Sequence, residues 1–210
     1  MSQDEVKVDS RSKILEAAVD EFIEYGFSGA RVDRIAVRAG INKAMIYYYF
    51  SSKEKLYQAV IDEHINRLGE EVQLKIEEAA DLEESLLAIS RIYMKIMTQN
   101  ARYLPILLRE FASGGGRLVS SLRRMTSERG LPERFLRKLE EGQKAGRFRD
   151  CDTRQALISF IGMNMFYLLF APMANSIWGV EDENAFREQR PREVVELFMR
   201  GIERKDYHAG

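Results

Sequence analysis

Apolar residues recur at helical spacing through most of this chain and nowhere alternate as a half-buried strand would. That periodicity constrains the fold more than any other feature. Ile14, Ala18 and Phe22 form one i, i+4 row with Leu15, Val19 and Ile23 beside it, and Glu16, Asp20, Glu21 and Glu24 fall on the other face. Leu82, Leu86, Ile89, Tyr93, Ile96 and Met97 make a second stripe. The interruptions are turn chemistry: Gly26, Gly40, Ser51-Ser52, the run Ser113-Gly114-Gly115-Gly116, Gly130-Leu131-Pro132, and Gly146 to Asp152. With 4 prolines in 210 residues, long helices are open to the chain. The expectation is an all-α fold of about nine helices. A long one starts at Ser52 and runs to about Ala80, and the last two run from Thr153 to Ser176 and from Pro191 to Glu203.

The formal net charge of -1 argues against a nucleic-acid partner only while it is read as an average. Between Tyr25 and Leu56 stand Arg31, Arg34, Arg38, Lys43, Lys53 and Lys55 against Asp33 and Glu54, a local charge of +4. From Ile61 to Ser90, nine carboxylates face Arg67 and Lys75, a charge of -7. The sum hides a basic head and an acidic stretch directly after it.

The basic head has a shape. Two short helices, Val32 to Ala39 and Lys43 to Phe50, are joined by Gly40-Ile41-Asn42. Glycine permits the sharp turn, and Asn42 is placed to cap the second helix. Ala36 and Ala39 are small enough for close crossing, with Ile41 and Ile46 plugging the contact. This is a helix-turn-helix pattern, whose second helix enters the major groove of DNA. A two-turn helix has one inward face, so Tyr47, Tyr48 and Tyr49 cannot all be core. We assign Tyr49 and Phe50 inward and leave Tyr47 and Tyr48 beside the lysines. Arg34 and Arg38 read as solvated.

Residues 11 to 60 resemble the TetR/AcrR type of bacterial transcriptional regulator. The matching pieces are Ile14 to Ala18, Phe22 to Phe27, Ile35-Ala36 with Ala39-Gly40-Ile41, Ile46 to Phe50, and Ser52 to Leu56. The resemblance implies a DNA-binding domain over 1–58 and a larger helical domain for ligand binding and dimerisation over 59–210. It implies a homodimer on a near-palindromic double-stranded DNA operator, released by a small-molecule effector. Carried over by position, Lys43, Ala44 and Met45 face bases, Tyr47 and Tyr48 meet phosphates or base edges, and Lys53 holds a phosphate at a helix N-terminus. The chain departs from the pattern at Ala30 and Arg31, where Thr or Ser usually caps the second helix. Arg31 offers charge in place of that contact. Ala44 stands where Gly is common.

The second half is rich in Met and aromatic residues, which at helical spacing pack a core or line an adaptable apolar pocket. Tyr93, Met97, Phe111, Met163, Asn164 and Tyr167 are the candidates for contacting a small apolar or amphipathic effector. Asn164 is either an orienting group or a satisfied buried amide. The excess apolar surface of the last two helices is assigned to the dimer interface. The run Ala156 to Val180 carries no charge, but its polar breaks read as a buried helix rather than a membrane span. Other chemistry finds no footing. His64 and His208 have no metal-ligand spacing, and the lone Cys151 lies between Asp150 and Asp152. No cofactor, metal or catalytic cluster is expected. Met1 to Ser12 has no apolar signal core, and a cytoplasmic protein is expected. The alternative reading is a helical small-molecule-binding protein or enzyme without DNA binding.

Overall fold

The computed structural model describes residues 3–98 and 101–204, with side chains over 10–96 and 102–204. Ten α-helices and one 3-10 turn appear there: α1 (Gln3–Gly29), α2 (Val32–Ala39), α3 (Lys43–Phe50), α4 (Lys53–Glu78), α5 (Leu82–Thr98), the 3-10 turn Ala101–Tyr103, α6 (Leu104–Ala112), α7 (Gly116–Arg129), α8 (Leu131–Lys144), α9 (Thr153–Ile177) and α10 (Glu183–Ile202). The described residues contain no strand beyond an isolated bridge between Phe148 and Glu203. The all-α expectation holds, with ten helices for about nine.

Local chemistry explains most of the boundaries. Gly26, at φ 67 and ψ 177, breaks the helical geometry inside α1, and a last turn then runs to Gly29. Pro105 and Pro132 sit in the first turns of α6 and α8, where a missing N–H costs nothing. The last helix corrects the sequence reading. It starts at Glu183, eight residues before Pro191, because the Asp182 carboxylate accepts from the Asn184 and Ala185 amides at 3.0 and 2.9 Å. Pro191 lies inside that helix and is buried. A cap nine residues upstream outweighs one unsatisfied carbonyl in mid-helix.

The chain divides into two compact units, residues 1–67 with 101–125 and residues 68–100 with 126–210. In the first, Ile14, Ala18, Phe22, Ile35, Ile46, Leu56, Ile61 and Ile106 are almost wholly buried. Phe22 meets Tyr57 edge-on at 4.7 Å between ring centroids, and Tyr57 meets Phe27 at 5.1 Å. Glu21 departs from its expected place on the solvent face: it is 0% exposed. In the second unit the largest cluster joins Leu82 and Leu86 of α5, Phe135 and Leu139 of α8, Phe160 of α9, and Val195 and Phe198 of α10. A smaller cluster holds Met94, Tyr167, Ala171 and Ala174, with Tyr93 and Phe186 against it.

The expectation that the apolar run of α9 is buried holds for one face only. Ile158, Phe166, Phe170, Met173, Ile177 and Trp178 are exposed, as is Leu197 on α10. Among the described residues α9 is the one helix long and apolar enough to cross a bilayer by length and composition. Asn164 and Asn175 are buried on its inner face.

Candidate functional site

The α2–α3 junction closes as its residue types dictate. Gly40 adopts φ 66, ψ 33, and the Ile41 amide donates back to the Ala36 carbonyl at 3.0 Å, satisfying the end of α2. The Asn42 side chain then accepts the Ala44 amide at 2.9 Å and starts α3. Ile46 and Phe50 are buried under α3, Tyr49 is half-buried, and Lys43, Ala44, Tyr47 and Tyr48 are exposed, with Met45 half-buried. Tyr48, 68% exposed, stands proudest, with its ring edge-on to Tyr49. Ser51, at φ 63, turns the chain into α4, and Ser52 Oγ accepts the Lys55 amide at 3.2 Å.

The cations around this face are not equally free. Lys43 Nζ lies 2.7 Å from Asp33 Oδ1, and that hydrogen bond raises the ammonium pKa above its ordinary value. Lys53, expected to hold a phosphate, sits 4.8 Å over the Phe27 ring and donates to the Ala30 and Ser28 carbonyls at 3.2 and 3.5 Å. Arg38 pairs with Glu24 at 3.1 Å. Arg31, at the head of α2, is exposed and makes no side-chain cap.

Glu21 was missed by sequence reasoning, and it supplies what Arg31 lacks. Its Oε1 accepts the Arg31 backbone amide at 2.9 Å and Arg34 Nε at 2.7 Å. A carboxylate from α1 thereby stands at the positive end of α2 in place of the missing cap. Arg34 is accordingly an anchor rather than a solvated cation. It also donates to the Gly29 carbonyl at 2.8 Å and lies 3.9 Å over the Tyr25 ring. The only available signal was the absent cap at Arg31, which asks for a donor elsewhere without naming it.

The same unit ties α6 and α7 onto these helices. Arg109 donates to the Phe22 and Ile23 carbonyls at 2.7 and 2.8 Å, the ends left open where Gly26 breaks α1. Burial first, and the Glu110 carboxylate second, push the Tyr57 phenol up to about 12. Arg117 lies 3.5 Å from Glu110 and 4.6 Å over Phe27. Gln58 bonds Ser121 at 2.8 Å, and Asp62 takes Ser121 and Arg124.

Of the six effector candidates, the second unit brings Tyr93 and Tyr167 into one cluster, and Met163 packs against the larger one. Asn164 is wholly buried. Burial pushes the Tyr93 phenol up to about 12. Phe111 belongs to the first unit, exposed on α6. The Met97 side chain lies outside the described residues. Among the described residues no group of His, Cys, Asp or Glu could hold a metal ion.

Known proteins place this geometry. The family described as "Bacterial regulatory proteins, tetR family" matches residues 14–60. The HTH-type transcriptional repressor NicS of Pseudomonas putida is 35% identical over 144 residues, spanning 67% of this chain and 66% of that protein. The HTH-type transcriptional regulator RutR of Escherichia coli is 26% identical over 91% of this chain and 90% of its own. The FadR regulator of Bacillus subtilis, solved with stearoyl-CoA, shares the fold at a TM-score of 0.72 and 21% identity over 91% of this chain and 98% of that one. The exposed face of a capped α3, the ordered match through residues 14–60 and these relatives agree: the chain belongs to the tetR family of bacterial regulatory proteins and is a helix-turn-helix transcriptional regulator rather than an enzyme.

Proposed function

We propose that this regulator is a repressor that binds a near-palindromic operator as a homodimer and leaves it when a small apolar or amphipathic effector binds. One observation carries the reading. The α3 helix turns Lys43, Ala44, Tyr47 and Tyr48 to solvent while Ile46 and Phe50 hold its other side in the core. Lys43, Ala44 and Met45 are assigned to bases, and Tyr47, Tyr48, Arg31 and Lys53 to base edges or phosphates. Lys53 would have to share its ammonium between a phosphate and the two carbonyls it now serves. Residues 1–58 are assigned to DNA, and 59–210 to effector binding and dimerisation.

The exposed apolar faces of α9 and α10 support a second copy as their partner, two helices from each subunit. Asn164 and Asn175 on the inner face of α9, and the core that the same helix shares with α5, α8 and α10, favour that partner over lipid. A cytoplasmic location follows from the DNA partner. The effector contacts assigned, all in the second unit, are Tyr93, Met163, Asn164 and Tyr167. The α4 helix, which contributes residues to both compact units, is the lever we assign between effector and DNA. An effector acts only by binding the released conformation more tightly.

The test is a gel shift against the DNA upstream of the protein's own coding sequence, with the parent protein and the double variant Lys43→Ala, Tyr48→Ala. The parent is expected to shift that DNA in preference to a scrambled duplex, and the variant to lose the preference. Equal specific binding by the variant would sink the assignment of α3 to base reading.

A further inference from the structure

The second unit buries more polar groups than it pairs. Asn164 Nδ2 donates to the Phe160 carbonyl at 3.0 Å, and its Oδ1 is buried without a partner. Asn175 Oδ1 accepts from the Tyr167 hydroxyl at 3.0 Å, and its Nδ2 is left without a partner. Arg190 of α10 donates through Nη2 to the Met163 carbonyl at 3.2 Å, and its Nε is buried and unpartnered. Its guanidinium carbon lies 5.5 Å from the centre of the Tyr167 ring and 6.0 Å from that of Phe186. Among the described residues Arg190 forms no ion pair, and burial works against its charge.

Native interiors pair nearly all buried polar atoms, and a half-buried cation without a counter-charge is costly. Arg190 and Asn175 meet at Tyr167, and Asn164 lies three residues before Tyr167 on the buried face of α9. One buried polar atom left unpaired on each matches the build of a ligand site, which is apolar walls with a few polar atoms that fix orientation. The polarity of those atoms limits what fits. Arg190 Nε and Asn175 Nδ2 are donors, and Asn164 Oδ1 is an acceptor. The cluster contains a single cation. That matches one negative charge, a carboxylate, better than a phosphate dianion.

We propose that the effector is an organic acid whose carboxylate takes Arg190 as its counter-charge. Its apolar or aromatic body lies against Tyr167 and Phe186, and Asn164 Oδ1 accepts a hydrogen bond from a donor group on it. The proposal rests on the effector-responsive reading given above and deepens it by naming the effector class. Arg190 lies outside the six residues that the sequence singled out, because Pro191 reads as the start of a helix.

The test is calorimetry on the full-length protein without DNA, so that a failure of operator binding is read separately. The probes are carboxylates from butyrate to dodecanoate and from benzoate to naphthoate, each paired with its neutral carboxamide. At least one acid is expected to bind about tenfold or more tightly than its amide, the scale of a charge-assisted hydrogen bond. That preference is expected to fall to within about twofold in Arg190→Gln and to persist in Arg190→Lys. The proposal is overturned if no acid binds more tightly than its amide, or if the preference survives in Arg190→Gln. It is also overturned if Arg190→Gln changes the dimer dissociation constant and leaves acid binding intact, since the counter-charge would then come from the second copy. Should Arg190→Gln fail to fold, the comparison of acids with amides on the parent protein still decides.

Discussion

Replacing Asp33 by Asn should tighten this protein on DNA and blunt its choice of sequence. The Asp33 carboxylate holds the Lys43 ammonium at 2.7 Å, and both side chains are exposed. A pair so placed does little for the fold. Its consequence lies at the DNA, where a carboxylate beside α3 neutralises a cation that could otherwise displace a counterion. Each added phosphate contact steepens the dependence of log K on log salt by about 0.9. A Lys43 released from Asp33 in each subunit can reach a phosphate instead of a base edge, which adds about 1.8 for a dimer. Between about 50 and about 200 mM salt, that increment deepens the loss of affinity by roughly tenfold. Fluorescence anisotropy with an operator duplex and a scrambled duplex, across that range, measures both terms. Asp33→Asn is expected to bind both duplexes more tightly at low salt and with the steeper slope. The gain should vanish in the double variant Asp33→Asn, Lys43→Met, because the cation has then gone as well. A slope within about 0.3 of the parent, or a gain that survives removal of Lys43, would refute the reasoning.

Three further outcomes are expected. Glu21→Ala leaves the Arg31 amide and the Arg34 guanidinium without their acceptor, and should cost about 2 kcal/mol in chemical denaturation and weaken operator binding with it. Ser51→Gly should stabilise by about 1 kcal/mol, because relief of the positive φ outweighs the extra freedom of the unfolded chain; an unchanged midpoint would show that Ser51 carries no strain. Burial lowers the His64 pKa to about 4, and Arg67 adds to the effect. The unfolded chain therefore takes up a proton below its ordinary value near 6.5 that the folded chain refuses until about 4, and stability falls across that window. At pH 5 the loss is about 2 kcal/mol. His64→Phe, which keeps an aromatic ring against Tyr103, should flatten that part of the pH profile, and an unaltered slope would assign the acid sensitivity elsewhere.

The sequence by itself determined whatever depends on neighbours along the chain. The limits of α3, the cap at Asn42, the left-handed Gly40 and the break at Gly26 follow from backbone conformations and hydrogen bonds spanning a few residues, and all were legible. The outward placing of Tyr47 and Tyr48 followed as well, because a two-turn helix has room for one buried face. Only the tertiary structure decided which charges are spent. Glu21 reads as a surface acid on its own helix, and the approach of α2 buries it as that helix's anion. Lys53 reads as a phosphate ligand, and the carbonyls of Ser28 and Ala30 meet it first. Lys43 reads as free, and Asp33 reaches it across the turn from the preceding helix. Arg190 was invisible because one distant cap, Asp182, moved the start of α10 past a proline. Local propensity writes the helices. The pairing of long charged side chains depends on distances between residues far apart in sequence, and those are set only once the helices have packed.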